Sequence, residues 1–335
     1  MKKTAFIFLA VLFFAGGAYA EKVRIGYPSA GALINGQIGH ILEKTNILEM
    51  NGLTAEITPF PNGAPMQEAL LAGHIDVALT SEANFVNLAS KFPCRVIASF
   101  GSAGRIALMV KDDSPIKNTA GLKGKTVTTV FGTSAHYPAV QWLLKAGLDP
   151  EKDVKLVHMA SGSRAALLTG DVDALVTWDP NVEDMVQKKI GRVLEANPAY
   201  WTITVVSEKF LKEQPEDAVK FLVALHEAAL FMAANKDLAN GWLSATMAVP
   251  ADIIAKGSSY NENYSKAKKL KDVKLTPSAD LIKRLQQIAD FNLKNGLLKA
   301  PSPVKEKTDL SFAKAAAAKV KTLKYDPASV VVKSK

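Results

Sequence analysis

Two stretches of the chain echo one another at a constant spacing of 97 residues: Leu70-Leu71-Ala72-Gly73-His74-Ile75-Asp76-Val77-Ala78-Leu79 and Leu167-Leu168-Thr169-Gly170-Asp171-Val172-Asp173-Ala174-Leu175-Val176. Each reads as a helix end, a glycine cap, a tight turn and a buried strand, because glycine reaches the left-handed conformation that closes a helix. The alternation extends on both sides. Strands are predicted over residues 23–27, 55–58, 77–80 and 95–100, with helices over 37–45, 65–72 and 82–91 between them. A second set has strands over 126–130, 154–159 and 174–177, and helices over 134–146, 163–169 and 181–189. Units of this βαβ kind require a parallel sheet with both faces covered, so the fold class is α/β. In a chain of 335 residues a single core has usually stopped growing, and two lobes are expected.

The connections say how the lobes join. Gly104-Arg105-Ile106-Ala107 and a strand over 108–111 lead into the second set, and a β-rich run over 200–207 carries the chain back. From there the pattern is helical over 218–234, 238–246, 250–256 and 279–295. Lobe one therefore takes residues 21–103 plus 205–300, and lobe two takes 104–204. Two crossing strands form a hinge.

The formal net charge of +9 suggests an anionic partner until it is divided along the chain. Lys2 and Lys3 precede an apolar run over 5–15 and the small residues Gly16, Gly17, Ala18 and Ala20, which marks residues 1–20 as a cleavable signal peptide. The run is too short for a bilayer span. Residues 301–335 carry eight lysines against Glu306, Asp309 and Asp326, a basic C-terminal extension with room for one helix over 313–318, expected to be loosely ordered and solvated, with docking to a membrane surface or a partner as the alternative. Removing these leaves only +2 over residues 21–300. That near-neutral body argues against a nucleic-acid partner. Cys94 is the only cysteine, so there is no disulfide framework and no lipid anchor at the cleavage point. A free monomer exported to the periplasm is the expected form.

Ligands of open α/β sheets bind outside the carboxyl ends of the strands. Thr80-Ser81-Glu82 and Thr177-Trp178-Asp179 follow the two repeated strands and are expected to face each other across a cleft. Gly132-Thr133-Ser134 follows a strand and opens a helix, where amides and hydroxyls favour an anion; Ser134 equally suits the role of N-cap. His136, two residues into that helix, is either a further donor or a surface histidine. Ser29 and Asn35, after the first strand, are either donors or turn residues. Asp179 next to an anion site implies a cationic part of the ligand, with Trp178 stacking on an ammonium; alternatively Asp179 starts a helix ahead of Pro180. Glu82 carries the same two readings, and Arg105 either reaches an anion or makes a structural ion pair. The histidines show no metal-ligand spacing, and no nucleophile elbow or phosphate loop appears, so neither cofactor nor catalysis is expected.

Several of these marks occur in a familiar order: Val23-Arg24-Ile25-Gly26-Tyr27; Ile47-Leu48 with Gly52-Leu53; Gly73 with Asp76-Val77-Ala78; Leu122-Lys123-Gly124-Lys125-Thr126-Val127 ahead of Gly132-Thr133-Ser134; and Gly170 with Asp173-Ala174 ahead of Trp178-Asp179-Pro180. Over residues 21–300 the chain resembles the nitrate, sulfonate and taurine type of periplasmic solute-binding proteins of ABC importers, which includes binders of thiamine pyrimidine precursors. The resemblance implies a type II periplasmic binding fold that closes on a small solute and delivers it to a membrane permease. It does not say which solute; the anion turn at Gly132-Thr133-Ser134 with Asp179 and Trp178 puts sulfonates such as taurine first, with nitrate or a pyrimidine as the alternative. A fungal pyrimidine synthase resembles these binders too, but its cysteine-rich motif is missing here.

Overall fold

The computed structural model describes residues 22–30, 32–197 and 200–334. The expected signal peptide lies outside them. Ten strands occur among the described residues: β1 (Val23–Pro28), β2 (Ala55–Phe60), β3 (Val77–Ser81), β4 (Cys94–Ala103), β5 (Ile106–Lys111), β6 (Thr126–Thr129), β7 (Lys155–His158), β8 (Ala174–Trp178), β9 (Gly191–Asn197) and β10 (Tyr200–Ser207). They form two five-stranded sheets, in the orders β2-β1-β3-β10-β4 and β7-β6-β8-β5-β9. The two lobes thus share one plan, as the sequence echo implied.

The sheets are mixed rather than parallel. In the first, β2, β1 and β3 run parallel while β10 is antiparallel to both β3 and β4; in the second, β7, β6 and β8 run parallel while β5 is antiparallel to β8 and β9. The reason is the crossing itself. A strand arriving from the other lobe enters at the end facing that lobe, so it runs against strands that begin at the far end. Because β10 pairs along its length in the first sheet, Tyr200–Ser207 belong to lobe one, ahead of the boundary expected at 204. Strand β9 escaped prediction, since Arg192 and Glu195 on this half-buried edge interrupt its apolar pattern.

Packing explains the depth of lobe one. All of β3 is buried, and the helix Pro215–Ala234 is buried nearly all round from Phe221 to Met232. Burial of each of Phe221, Leu222 and Leu225 contributes about 1.5–3 kcal/mol. The helix Leu33–Lys44 covers one side of it, and the helix Ser311–Val320 covers another, with Ala313, Ala316 and Val320 turned inward.

That last helix corrects the expected solvated extension. Residues beyond 300 are folded onto lobe one: Thr308 bridges to Val96, Val332 bridges to Thr45, and the Tyr325 hydroxyl donates to the Glu227 carbonyl at 3.2 Å. Small alanines on one face allow close approach, while the lysines stay on the other. Charge composition alone hid that face.

Candidate functional site

Helix starts converge where the two sheets face each other. The helices Leu33–Lys44, Gly63–Leu71 and Glu82–Ala89 begin at Ala32, Asn62 and Ser81, and the helix His136–Lys145 begins one turn after Thr133 and Ser134. All five of these flanking residues line a cavity between the lobes, together with Asn35, Thr80, Asn84, Trp178 and Tyr200. No charged side chain is among its lining residues. Positive helix ends favour an anion there, with Glu82 in the first turn of the helix Glu82–Ala89 the one carboxylate among these first turns. The cavity measures about 30 Å³, space for roughly two waters.

The polar groups of this cavity are unusually free. Asn35 Oδ1, Ser81 Oγ and Asn84 Oδ1 are buried without a hydrogen-bond partner among the described residues, while the Tyr200 oxygen accepts from the Leu33 amide and keeps its own proton to donate. Leaving such a group unpaired costs about 1–3 kcal/mol each, so three in one place point to a ligand that satisfies them. Ser81 occupies an N-cap position yet its side chain does not cap. Burial, with the Asp179 charge acting in the same direction, pushes the Tyr200 hydroxyl well above the ordinary phenol value, so it stays a donor. Asn35 is oriented by donating Nδ2 to the Thr80 carbonyl at 2.8 Å, which leaves its Oδ1 as an acceptor. Gly63 makes room for this arrangement, since a Cβ there would lie 1.8 Å from Asn84 Nδ2.

Lobe two contributes less. Trp178 Nε1 donates to Ser134 Oγ at 2.7 Å, which directs the serine proton elsewhere. Ser134 does not cap: the helix starts at His136 with Ala135 at its N-cap, and the Ser134 amide has no partner among the described residues. Thr133 Oγ1 donates to the Val130 carbonyl. The Gly132 amide, expected in the anion site, donates instead to His136 Nδ1 at 3.3 Å. His136 stacks on Phe131 and faces a neighbouring groove, and burial together with the nearby His158 lowers its pKa to about 4. Neither Gly132 nor His136 lines the inter-lobe cavity.

The two expected acids are turned away. Asp179 is fully buried and its carboxylate accepts from the Arg105 amide at 2.9 Å, Arg105 Nε at 3.0 Å and Nη2 at 3.1 Å, and from the Glu183 amide at 3.2 Å. Gly104 and Gly257 close over it; a Cβ on Gly257 would lie 2.6 Å from Leu33 Cδ1. With every oxygen engaged, Asp179 cannot meet a ligand ammonium, and the Arg105 reading resolves as structural. Glu82 is likewise buried against Arg284 Nε at 2.5 Å. Burial raises the Glu82 carboxyl pKa against the pull of Arg284. Ser29 is a turn residue, its hydroxyl donating to the Phe60 carbonyl at 3.1 Å.

Contacts across the cleft hold the lobes shut. Asn87 Nδ2 and Gln67 Nε2 donate to the Gly132 carbonyl at 2.7 and 3.3 Å, and Lys256 pairs with Glu183, which also binds Arg105 Nη2 at 2.6 Å. Burial raises the Glu183 carboxyl, but hydrogen bonds from Lys256, Gln187 and Arg105 outweigh it and hold it at about 2. Cys94 is buried in lobe one, its thiol pushed up to about 12 by desolvation, and takes no part in the cavity.

Of the residues expected from sequence, the fold brings together Asn35, Thr80, Ser81, Thr133, Ser134 and Trp178. It adds Asn62, Asn84 and Tyr200, which sequence reasoning missed. Asn62 and Asn84 follow strand ends at the start of helices and were legible in principle; Tyr200 opens β10 next to the crossing and depended on where that crossing fell.

Residues 48–239 match the family model described as NMT1/THI5 like, more than half of the chain. The chain belongs to the NMT1/THI5-like family. Among curated relatives of this family member, a putative ABC transporter periplasmic binding protein of Brachyspira hyodysenteriae is 29% identical over 210 residues, 57% of this chain and 60% of that protein. A putative aliphatic sulfonates-binding protein of Escherichia coli is 28% identical over 244 residues, 70% of this chain and 74% of that one. The fold also matches the alkanesulfonate-binding protein SsuA of Xanthomonas axonopodis bound to MOPS, with a TM-score of 0.71, 20% identity, and coverage of 87% and 98%. The desulfurization enzyme DSZB shares it at a TM-score of 0.63 and 17% identity, covering 89% and 99%. The family member therefore has the periplasmic binding protein fold, which has hosted both binding and catalysis.

Proposed function

We propose that this protein is the periplasmic solute-binding component of an ABC importer, working as a monomer that captures a small organic oxyanion, a sulfonate first, and presents it to a membrane permease. A leader over residues 1–20 directs its export. The observation that carries the reading is the uncharged cavity at converging helix starts, with the unclaimed Ser81 hydroxyl and the Tyr200 proton left to donate. A sulfonate is permanently ionised and is well served by neutral donors in a dry site, where each hydrogen bond to a charged group contributes about 1.5–3 kcal/mol. The sulfonate-binding relatives and the SsuA fold support the same choice. Where the solute carries an amine or hydroxyl as well, Asn35 Oδ1 supplies a neutral acceptor in place of the carboxylate expected at Asp179.

Binding rather than catalysis fits this cavity, because the thiol lies elsewhere and no base lines it. Calorimetry and thermal shifts with ethanesulfonate, taurine, nitrate and a thiamine-precursor pyrimidine test the assignment. Saturation at about a hundred times Kd stabilises the fold by about 2.7 kcal/mol. A response to nitrate or the pyrimidine with none to either sulfonate would overturn the reading; turnover of any sulfonate would replace binding with catalysis.

A further inference from the structure

The folded C-terminal extension builds a second concave feature on lobe one, away from the cleft. A groove of about 530 Å³ runs between a short turn carrying Lys268, Lys269 and Lys271 and the end of the helix Ser311–Val320, where Lys321 and Lys324 stand on the opposite wall. Its floor is apolar: Leu230, Leu270 and Val320 are buried beneath it, and Leu323 is 41% exposed at its edge. The neighbouring Lys266 and Lys274 pair with Glu262, but the five lysines of the groove form no salt bridge among the described residues. Two acids lie close by. Asp272 accepts from the Lys268 and Lys269 backbone amides and feels the charges of Lys271 and Lys269, and Asp326 accepts from the Ala328 amide.

Five like charges lining one groove repel, and Leu323 at its edge is solvated at a cost. One ligand relieves both: an acidic segment of a protein partner, its carboxylates reaching the two lysine walls and an apolar side chain resting on the floor. A bilayer surface is broader than the groove and meets only its rims. Both lysine walls lie outside residues 48–239, so the feature is not part of the segment that defines the family. We propose that this groove is a docking site for an acidic, partly apolar protein segment, separate from the solute cleft.

Fluorescence anisotropy of the purified protein with a labelled peptide of alternating glutamate and leucine tests it. The acidic peptide is expected to bind, more weakly as salt rises, and a lysine-leucine counterpart is not. The variant K268E/K271E/K321E/K324E is expected to lose roughly tenfold or more in affinity. The control K117E/K145E/K283E/K294E, with the same change in net charge, is expected to bind nearly as the parent does. Glutamine at the four groove positions removes charge without repulsion and guards against a folding defect; it is expected to weaken binding as well. Absence of peptide binding, equal loss in groove and control variants, or stronger binding to phosphatidylglycerol vesicles than to the peptide would overturn the proposal.

Discussion

Thr80-Ser81-Glu82 in lobe one and Thr177-Trp178-Asp179 in lobe two occupy equivalent places after equivalent strands, and the fold treats them alike in one respect and differently in another. In both, the acid opens a helical segment and turns into the protein against an arginine, Glu82 to Arg284 and Asp179 to Arg105. In both, the middle residue faces the cavity. The difference lies in what it does there: Ser81 offers an unclaimed hydroxyl, whereas Trp178 spends its donor on Ser134. Lobe one also supplies Asn35, Asn84 and Tyr200. The repeat built two similar halves, and the cavity's polar groups left without partners lie in one of them.

The largest effect expected from breaking that comparison is on stability. Replacing Arg105 by Ala strands a fully buried Asp179 and is expected to cost about 3–5 kcal/mol in urea unfolding, with solute affinity falling too because the pair sits in the hinge. Arg284→Ala strands Glu82 and is expected to destabilise in the same way while leaving affinity unchanged. If Asp179→Asn instead unfolds like the parent protein and loses only amine-bearing ligands, the acids are not equivalent and the comparison fails.

Next in size is the asymmetry of recognition. Tyr200→Phe and Ser81→Ala are each expected to weaken solute binding roughly 10- to 100-fold by calorimetry with little change in melting temperature. Ser29→Ala, whose hydroxyl only closes a turn, should leave binding untouched. Equal losses at Ser29 would remove the distinction between cavity and turn.

A smaller effect probes the lobe-two loop through pH. His136 has a folded pKa of about 4 against an ordinary value of 6.5, lowered by burial and the charge of His158. The unfolded chain therefore binds the proton first as pH falls, so stability is full above about 6.5 and declines toward 4. His136→Gln is expected to flatten that slope by about 1 kcal/mol at pH 5.5 while His40 and His226, also lowered by burial, keep their share. An unchanged slope would show that His136 is solvated.

The smallest is the closing contact between Lys256 and Glu183. Lys256 is largely exposed, so Lys256→Gln is expected to weaken solute binding only about two- to fivefold, with a more open average shape in small-angle scattering. Because Glu183 titrates near 2, the contact persists to strongly acid pH, and the parent should show no opening between pH 7 and 5. Opening in that range would assign closure to other groups.

Much of the architecture was legible before any coordinates. The alternation of strand and helix periods, the glycine-closed helix ends and the echo at 97 residues specify two βαβ lobes, because these are local signals read within one turn or one strand. The same signals put Asn35, Ser81, Ser134 and Trp178 at strand ends and so at the cleft. What they could not convey was direction. Whether Asp179 faces solvent or Arg105 depends on Gly104 and Gly257 closing over it from distant parts of the chain, and whether Ser134 caps depends on the helix beginning two residues later than its pattern suggests. The antiparallel strands β5 and β10 likewise follow from which end of a sheet the crossing chain enters.

The sequence by itself determined the class of fold, the two-lobed division and the stretch of chain from which the site is drawn, since local propensity and periodicity act over a few residues. Tertiary structure decided which polar groups are satisfied within the protein and which are left for a ligand, and it turned a basic tail into a folded wall of lobe one. Those outcomes depend on partners far apart in sequence, where burial makes each unpaired charge or hydroxyl costly and only the packed chain can pair or expose it.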